Sequence, residues 1–457
     1  MAALRTRLED ALTRVGRWTA APYLILRAAT LLGAVGCSAQ TSEPISLDVY
    51  TWWREDSERA ALTTVMERFK EDQGVKVAPR YERTADTNRT ELERLLLNKA
   101  PPSTFQANVG ADLLRWAVFD YHDAETWQAG STSLLVGLED LFAAEGFYEV
   151  LPGDLLDALK DGASQPYGVP INIHRLNVLY YNVERVAEKL GSNELTLDAF
   201  CPAPGTPRVD LSIAVGIANG FPLTLLIFEN LLPALEGGDF YERLFTGDPP
   251  SDWEPRVRRT LECALDLSPS FEGGQQLSWA AAADRVATGE ADLTVMGDWA
   301  SMNKAMKPAL EQGTVRAVPF PSTEDLFVFT SDTFPLPVGG SYPDETKALL
   351  RTMMDAEVQI EFSEKKGSIP ARSDIPPDRL SERARATKEA FENSKRLLAT
   401  SGLFPSYYPD EEIELRLIRI ATGVEPEEAI DEVIQYLRES QAALAYWNER
   451  KQTGGDP

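Results

Sequence analysis

An α/β fold with a mostly parallel sheet and a second lobe is predicted. Three observations predict it. Five strand and helix segments alternate within about sixty residues of Ile45, a run punctuated by Pro166, Gly168 and Pro170 leads into a second extended stretch, and 457 residues at about 100–200 per domain need two or three folded bodies. Taken in order, Arg5, Arg7, Arg14 and Arg17 precede an apolar run from Ala20 that ends in Gly33-Ala34-Val35-Gly36-Cys37. A charged start, an apolar middle and small residues before the end are the layout of a secretion signal, so residues 1–37 are expected to be an address rather than structure. An uncleaved membrane anchor is the alternative.

Past a polar linker, Ile45, Leu47 and Val49 alternate with polar residues as a strand does. Leu62, Val65, Met66 and Phe69 then fall on one helical face, and Gly74 stops the helix. Val75, Val77 and Tyr81 predict a second strand. A second helix is expected to open at Thr90, with Glu93 in capping-box register, and to end before Pro101-Pro102. A third strand runs into Thr104-Phe105-Gln106. In such sheets ligands bind beyond the carboxyl ends of the strands, which directs attention to the residues after the first and third. The second extended run is Ile171 to Asn182. Residues 210–315 read as mainly helical, with Trp279 to Thr288 as helix, Gly289 as its cap and Ala291 to Met296 as strand. Extended segments at Val315–Pro319 and Phe327–Leu336 precede a helical tail in which Ile430, Val433, Ile434 and Leu437 keep period.

The 43% hydrophobic and 25% charged composition suits a folded globular chain. Forty-five basic against 71 acidic residues give −26, and a nucleic-acid partner is not expected from a chain that lacks cations to displace phosphate counterions. Only His122 and His174 could join a histidine metal site, and no zinc spacing, Walker loop, dinucleotide fingerprint or nucleophile elbow occurs. Neither a metal, a cofactor nor catalysis is therefore expected. Carboxylates are so abundant that counting neither identifies nor eliminates an acid pair. Cys201 and Cys263 are expected to be two inert buried thiols, with a disulfide as the alternative.

Trp52-Trp53, just after the first strand, offers flat apolar faces suited to the C–H face of a pyranose, while a core role for at least one ring is equally open. Asp298, after the last strand of the second lobe, could accept bonds from two neighbouring hydroxyls or cap a helix. His174 reads as a structural strand histidine or a cleft residue, Arg175 as a ligand group or a lobe–lobe ion pair, and Arg372 as the cap of a helix.

The run Val49-Tyr50-Thr51-Trp52-Trp53 with Glu58, and a lipobox-like end at Cys37, resemble the extracellular solute-binding proteins of sugar ABC transporters, in particular the glucose/mannose-binding branch. The resemblance continues through Pro101–Gln106, Tyr167–Pro170, Asn172-Ile173-His174-Arg175, Phe228-Glu229-Asn230, Gly289–Trp299 and Lys366-Gly367-Ser368-Ile369-Pro370-Ala371-Arg372. It implies a two-lobed periplasmic-binding-protein fold with a hinge and an interlobe cleft. The lobes are expected at 45–168 with 316–368 and at 169–315 with 369–450. A neutral mono- or oligosaccharide would be bound by Trp52, Trp53, Glu58, Asn108, Asn172, His174, Trp279 and Asp298. The implied partners are that sugar and the membrane subunits of an ABC permease. The protein would be a monomer, lipid-anchored through Cys37 or secreted, at the outer face of the cytoplasmic membrane. Three departures from the glucose-binding pattern, Asn108, Val338 and Tyr407-Tyr408, imply a pocket poorer in charged donors that favours a larger sugar over glucose. Two rival readings are a ligand-free sensory or scaffold descendant and an extracytoplasmic carbohydrate hydrolase or lyase.

Overall fold

The computed structural model describes residues 45–81, 85–117, 119–122, 129–160, 165–203, 205–217, 221–272, 277–403 and 410–453. Cys37, Tyr407 and Tyr408 lie outside them. The predicted opening holds: β1 (Ser46–Thr51) is the central strand of a parallel sheet. It lies between β2 (Lys76–Tyr81) and β3 (Thr104–Phe105), with Ser46 opposite Lys76 and Val49 opposite Thr104. Helix α1 (Asp56–Gln73) buries Leu62, Val65 and Phe69, and Gly74 ends it at φ 67°, a left-handed conformation that glycine adopts without a Cβ penalty. Helix α2 spans Ala85–Leu97, so the Thr90–Glu93 motif lies inside it rather than at its start. Once a helix is nucleated, each added residue costs only its propensity, and the helix extends upstream of the motif.

The chain continues through β4 (Ala107–Asn108) and β5 (Gly168–Pro170) to β6 (Asn172–Arg175) and β7 (Val178–Asn182). The second lobe is built around a five-stranded sheet in the order β9-β8-β10-β7-β11. Its other strands are β8 (Ile213–Ala214), β9 (Phe271–Glu272), β10 (Leu293–Met296) and β11 (Val315–Pro319). Antiparallel β7 sets Val178 opposite Met296 on one side and Pro319 on the other. Helix α3 (Trp253–Leu267) packs on this lobe, and α4 (Trp279–Ala287), capped by Ser278, lies where the periodicity placed it. Cys201 and Cys263 are disulfide-bonded with Cα atoms 5.6 Å apart, which corrects the expectation of two thiols: both residues pack on the second core, within bonding reach.

The chain returns through β12 (Leu326–Thr330) and β13 (Asp332–Pro337), the helices α5 (Pro343–Met353) and α6 (Ala356–Lys366), β14 (Ile369–Pro370), β15 (Lys395–Leu398) and the long α7 (Pro426–Thr453). Two hydrophobic cores result. The first draws on residues 47–173 and 327–391, the second on residues 176–326 together with Val328 and 397–437. Residues 369–391 thus pack with the first core, although the sequence placed everything after 368 in the second lobe; Ile369, Ala371 and Phe391 point the other way.

Between the cores stands a four-stranded sheet in the order β14-β6-β12-β15. Strand alternation turns Leu326 and Val328 into the second core and Phe327 and Phe329 into the first, so one strand is apolar on both faces. The chain crosses between lobes at this sheet. Among the described residues no helix is long and apolar enough to cross a membrane.

Candidate functional site

Five of the eight residues nominated from the sequence converge on the seam beside this shared sheet. Leu47, Val49 and Tyr50 of β1 are buried in the first core, and Trp53, two residues past the end of the strand, joins them. Its ring is 1% exposed and lies 5.7 Å from Phe334 and 5.3 Å from Phe362. Trp52, between Thr51 and Trp53, stays partly exposed. The first turn of α1 then fixes Glu58: one carboxylate oxygen accepts the backbone N–H groups of Arg54 and Glu55 at 3.0 and 3.1 Å, and the other accepts from Lys366 Nζ at 3.1 Å. Lys366 closes α6 and is buried. Its ammonium lies 5.5 Å from the Trp53 ring and 5.6 Å from the Trp299 ring, one ring from each core.

Gly367 brings the two motifs of the resemblance together. It holds φ 92°, and a Cβ there would stand 3.0 Å from the Asp298 carbonyl oxygen and the Trp299 Cα. Asp298 opens a 3-10 turn, Asp298–Met302, with Gly297 at the capping position. Its own carboxylate is spent elsewhere: Oδ1 meets His174 Nδ1, and Oδ2 accepts the Arg175 N–H at 3.0 Å.

Asp332 forms the floor. Its Oδ1 accepts from Gln106 Nε2 at 2.7 Å and its Oδ2 from Asn172 Nδ2 at 2.8 Å, while its N–H donates to Asn172 Oδ1 at 2.9 Å. Gln106 in turn accepts the Thr51 hydroxyl at 2.6 Å, and Thr51 accepts the Trp53 N–H at 3.1 Å. His174 Nε2 lies 3.0 Å from Asn172 Nδ2 and 3.4 Å from Asp332 Oδ2. One hydrogen-bonded chain therefore runs from Trp53 to Asp298 across the seam. Burial alone would raise Asp332, but His174, Lys366 and Asn172 outweigh it and hold the carboxyl below its usual range. Burial opposes charge on His174, and Asp298 and Asp332 overcome it, so the imidazole sits above its usual value. Burial lowers Arg175 to about 10 against the pull of Asp298. Its guanidinium donates to the Leu326 carbonyl and to Asn177 and lies over the Phe327 ring.

Of the nominated residues, Trp53, Glu58, Asn172, His174 and Asp298 belong to this cluster. Asn108, partly exposed, pairs with Asp332 across β4 and β13. Trp52 and Trp279 are partly buried, each against its own core. Val338 is 51% exposed beyond the far end of β13, about 20 Å along the strand from Asp332, and does not line the seam. Arg372 caps a helix, donating to the Met354 carbonyl at the end of α5 and clasping Asp374. The sequence reading missed Lys366 and Asp332 as seam residues. For Asp332 a signal existed: a lone carboxylate in an otherwise uncharged buried strand requires partners. Among the described residues no group of acidic, histidine or cysteine side chains could hold a metal ion.

Two cores about a shared sheet, with a seam lined by polar groups and a ring from each side, define a two-lobed binding protein. The profile of the bacterial extracellular solute-binding proteins matches residues 64–389, and the chain belongs to that family. It is similar to an uncharacterized ABC transporter extracellular-binding protein of Pyrococcus horikoshii, 26% identical over 414 residues that cover 87% of this chain and 89% of that one. A xylose/arabinose-binding protein of Haloferax volcanii is 26% identical over 79% of this chain and 77% of its own. Among solved structures, a chitin oligosaccharide binding protein superposes with a TM-score of 0.67 at 17% identity, covering 88% of this chain and 100% of that one. The solute receptor AcbH gives a TM-score of 0.66 at 17% identity over 88% and 98%. These likenesses show the periplasmic solute-binding fold. The family binds solutes and is not a family of enzymes.

Proposed function

We propose that the protein captures a neutral sugar between its lobes and hands it to the membrane subunits of an ABC permease. The observation that carries this reading is the pair of partly exposed rings, Trp52 packed against the first core and Trp279 against the second. Aromatic faces suit the C–H face of a sugar, and the seam's buried carboxylates each have a cationic or amide partner, which suits an uncharged ligand. Sugar-binding names among the relatives support it. Trp52, Asn108 and Trp279, the partly exposed members of the nominated set, are the residues proposed to touch the solute, with Trp53, Glu58, Asn172, His174 and Asp298 shaping the wall and floor. The proposed lobes are those of the two cores, the chain acting as a monomer anchored through Cys37, within the glucose/mannose-binding branch. Cys37→Ser then releases the protein from the membrane fraction.

A second reading, a descendant that no longer takes a solute, is favoured by the same pairing of seam charges with one another. Thermal shift against neutral mono-, di- and trisaccharides separates the two. A ligand at a hundred times its dissociation constant stabilises by about 2.7 kcal/mol, and a panel without any shift removes the sugar reading. A disaccharide is expected to bind more tightly than glucose, because partly exposed aromatic rims discriminate weakly and accept added rings.

A further inference from the structure

Two segments meet end to end along one edge of the strand that crosses between the lobes. On that edge β4 runs antiparallel to β13 and β15 runs parallel to β12, so one arrives from the first lobe and the other from the second. The Val109 N–H donates to the Ser331 carbonyl at 2.9 Å and the Ala399 N–H to the Phe329 carbonyl at 2.8 Å, which hangs both segments on carbonyls two residues apart. Val109 belongs to the first core, and Ala399 and Leu403 pack with the second. Glycine stands on both sides of the junction. A Cβ on Gly110 would lie 2.3 Å from the Gly402 carbonyl oxygen and 2.7 Å from its Cα, and one on Gly402 would lie 2.7 Å from both the Val109 carbonyl oxygen and Leu398 Cγ. Backbone rests on backbone, and the lobes can come no nearer at this point. The second-lobe side is held from behind, because Glu229 accepts the Thr400 N–H and hydroxyl at 2.9 and 2.6 Å.

We propose that the helical turn Thr400–Leu403 is the seat on which the first lobe rests, and that Gly402 and Gly110 are positioning residues that set the spacing of the lobes at the cleft. This rests on reading the seam between the lobes as the solute cleft. Asn108, proposed to touch the solute, stands two residues before Gly110, so the seat fixes its height relative to the second lobe. Gly402 is not in the left-handed region, and alanine there carries no backbone strain. Its methyl would need space, however. Ordinary contact begins at 3.4 Å, so the Val109 carbonyl has to give by about 0.7 Å. Glu229 keeps the turn from backing into the second lobe, and the space comes from the Val109–Gly110 side. The junction lies beside the crossing, where a sub-ångström displacement is amplified across two packed bodies.

The test is the distance between spin labels on the two lobes, measured by pulsed electron paramagnetic resonance on the full chain without any solute. Cys201 and Cys263 are bonded to each other, so Cys37→Ser leaves no free thiol. Leu97→Cys on the first lobe and Val424→Cys on the second, exposed at 48% and 51%, then carry the labels. Gly402→Ala is expected to shift the mean distance by about 2 Å or more. Gly153→Ala, whose methyl meets nothing within 4 Å, should leave it unchanged. An unchanged distance in folded Gly402→Ala means that Leu398 makes the room within its own lobe, and overturns the proposal. Should Gly402→Ala fail to fold, amide exchange of the wild type decides. The Val109, Ala399 and Thr400 amides are expected to be protected about a thousandfold or more, as core strands are, and exchange at loop rates refutes a fixed seat. Neither measurement uses a sugar, so a sugar panel without a shift sinks the proposed function and leaves this result readable.

Discussion

At the scale of single residues, adjacent tryptophans just past the end of β1 have separate fates. Trp53 joins Leu47, Val49 and Tyr50 in the first core, and Trp52 stays partly exposed. Trp53→Ala is expected to cost about 3–5 kcal/mol of stability, as core tryptophans do, and Trp52→Ala well under half of that while weakening sugar binding. Urea unfolding of the two variants, with calorimetry on the folded one, checks this. Glu229 makes a different point. It is buried in a π-helical turn, Ile227–Leu231; Oε1 accepts the Thr400 N–H and hydroxyl at 2.9 and 2.6 Å, and Oε2 lies 2.9 Å from the Tyr241 hydroxyl. That phenol also reaches the Leu398 carbonyl at 2.9 Å, and its single proton serves only one of the two oxygens. Burial raises Glu229 to about 7 against these bonds. A raised carboxyl keeps its proton in the folded chain after the unfolded chain has lost it. Its contribution is therefore complete below the ordinary pKa of about 4.5 and is lost as pH rises to about 7, by roughly 3 kcal/mol. Glu229→Gln mimics the protonated form, so its stability relative to wild type should climb across that window. Parallel pH profiles of the urea midpoint would count against a buried proton.

At the scale of elements, periodicity made β1, α1, α4 and the C-terminal helix legible, since each buries one face at its own repeat. The blocks around Gly-Asp-Trp and Gly-Ser-Ile-Pro-Ala-Arg were legible as motifs, but not the fact that they meet, because that contact joins positions some seventy residues apart and is made by folding. Gly367 shows why the meeting needs glycine: φ is 92° and the backbone of Asp298 and Trp299 fills the space of a side chain. Gly367→Ala should cost at least about 1–2 kcal/mol from the left-handed backbone alone, and more from the contact. Gly74→Ala, at φ 67° with nothing within 4 Å, should pay only the backbone term. Equal losses in denaturant unfolding would refute the contact. The disulfide escaped prediction for a related reason, since bonding distance is a property of the fold. Closing 62 residues restrains the unfolded chain by about 4 kcal/mol, so reductant should lower the melting temperature and Cys263→Ser should abolish that sensitivity.

At the scale of the molecule, two cores that meet at one sheet can move as bodies only if their facing surfaces tolerate approach. The chain carries −26 overall, and among the described residues Glu55 and Asp284 repel each other across the lobes. Glu55, at the opening of α1, is raised first by burial, then by Glu58 and Asp56 beside it and by Asp284 of α4 on the second lobe, with Arg59 opposing. If closure of the lobes brings Glu55 and Asp284 toward each other, part of the ligand's binding energy is spent on that repulsion. Asp284→Asn should therefore tighten sugar binding by about two- to fivefold, the range of a single exposed charge interaction. Screening sets a second condition. The Debye length falls from about 30 Å at 0.01 M salt to about 3 Å at 1 M, so the gain should be largest in dilute buffer and vanish in concentrated salt. Calorimetry of wild type and variant at the two salt concentrations decides the matter. A gain that persists at high salt would point to a packing change at α4, and no gain at low salt would mean that closure does not bring these two carboxylates together.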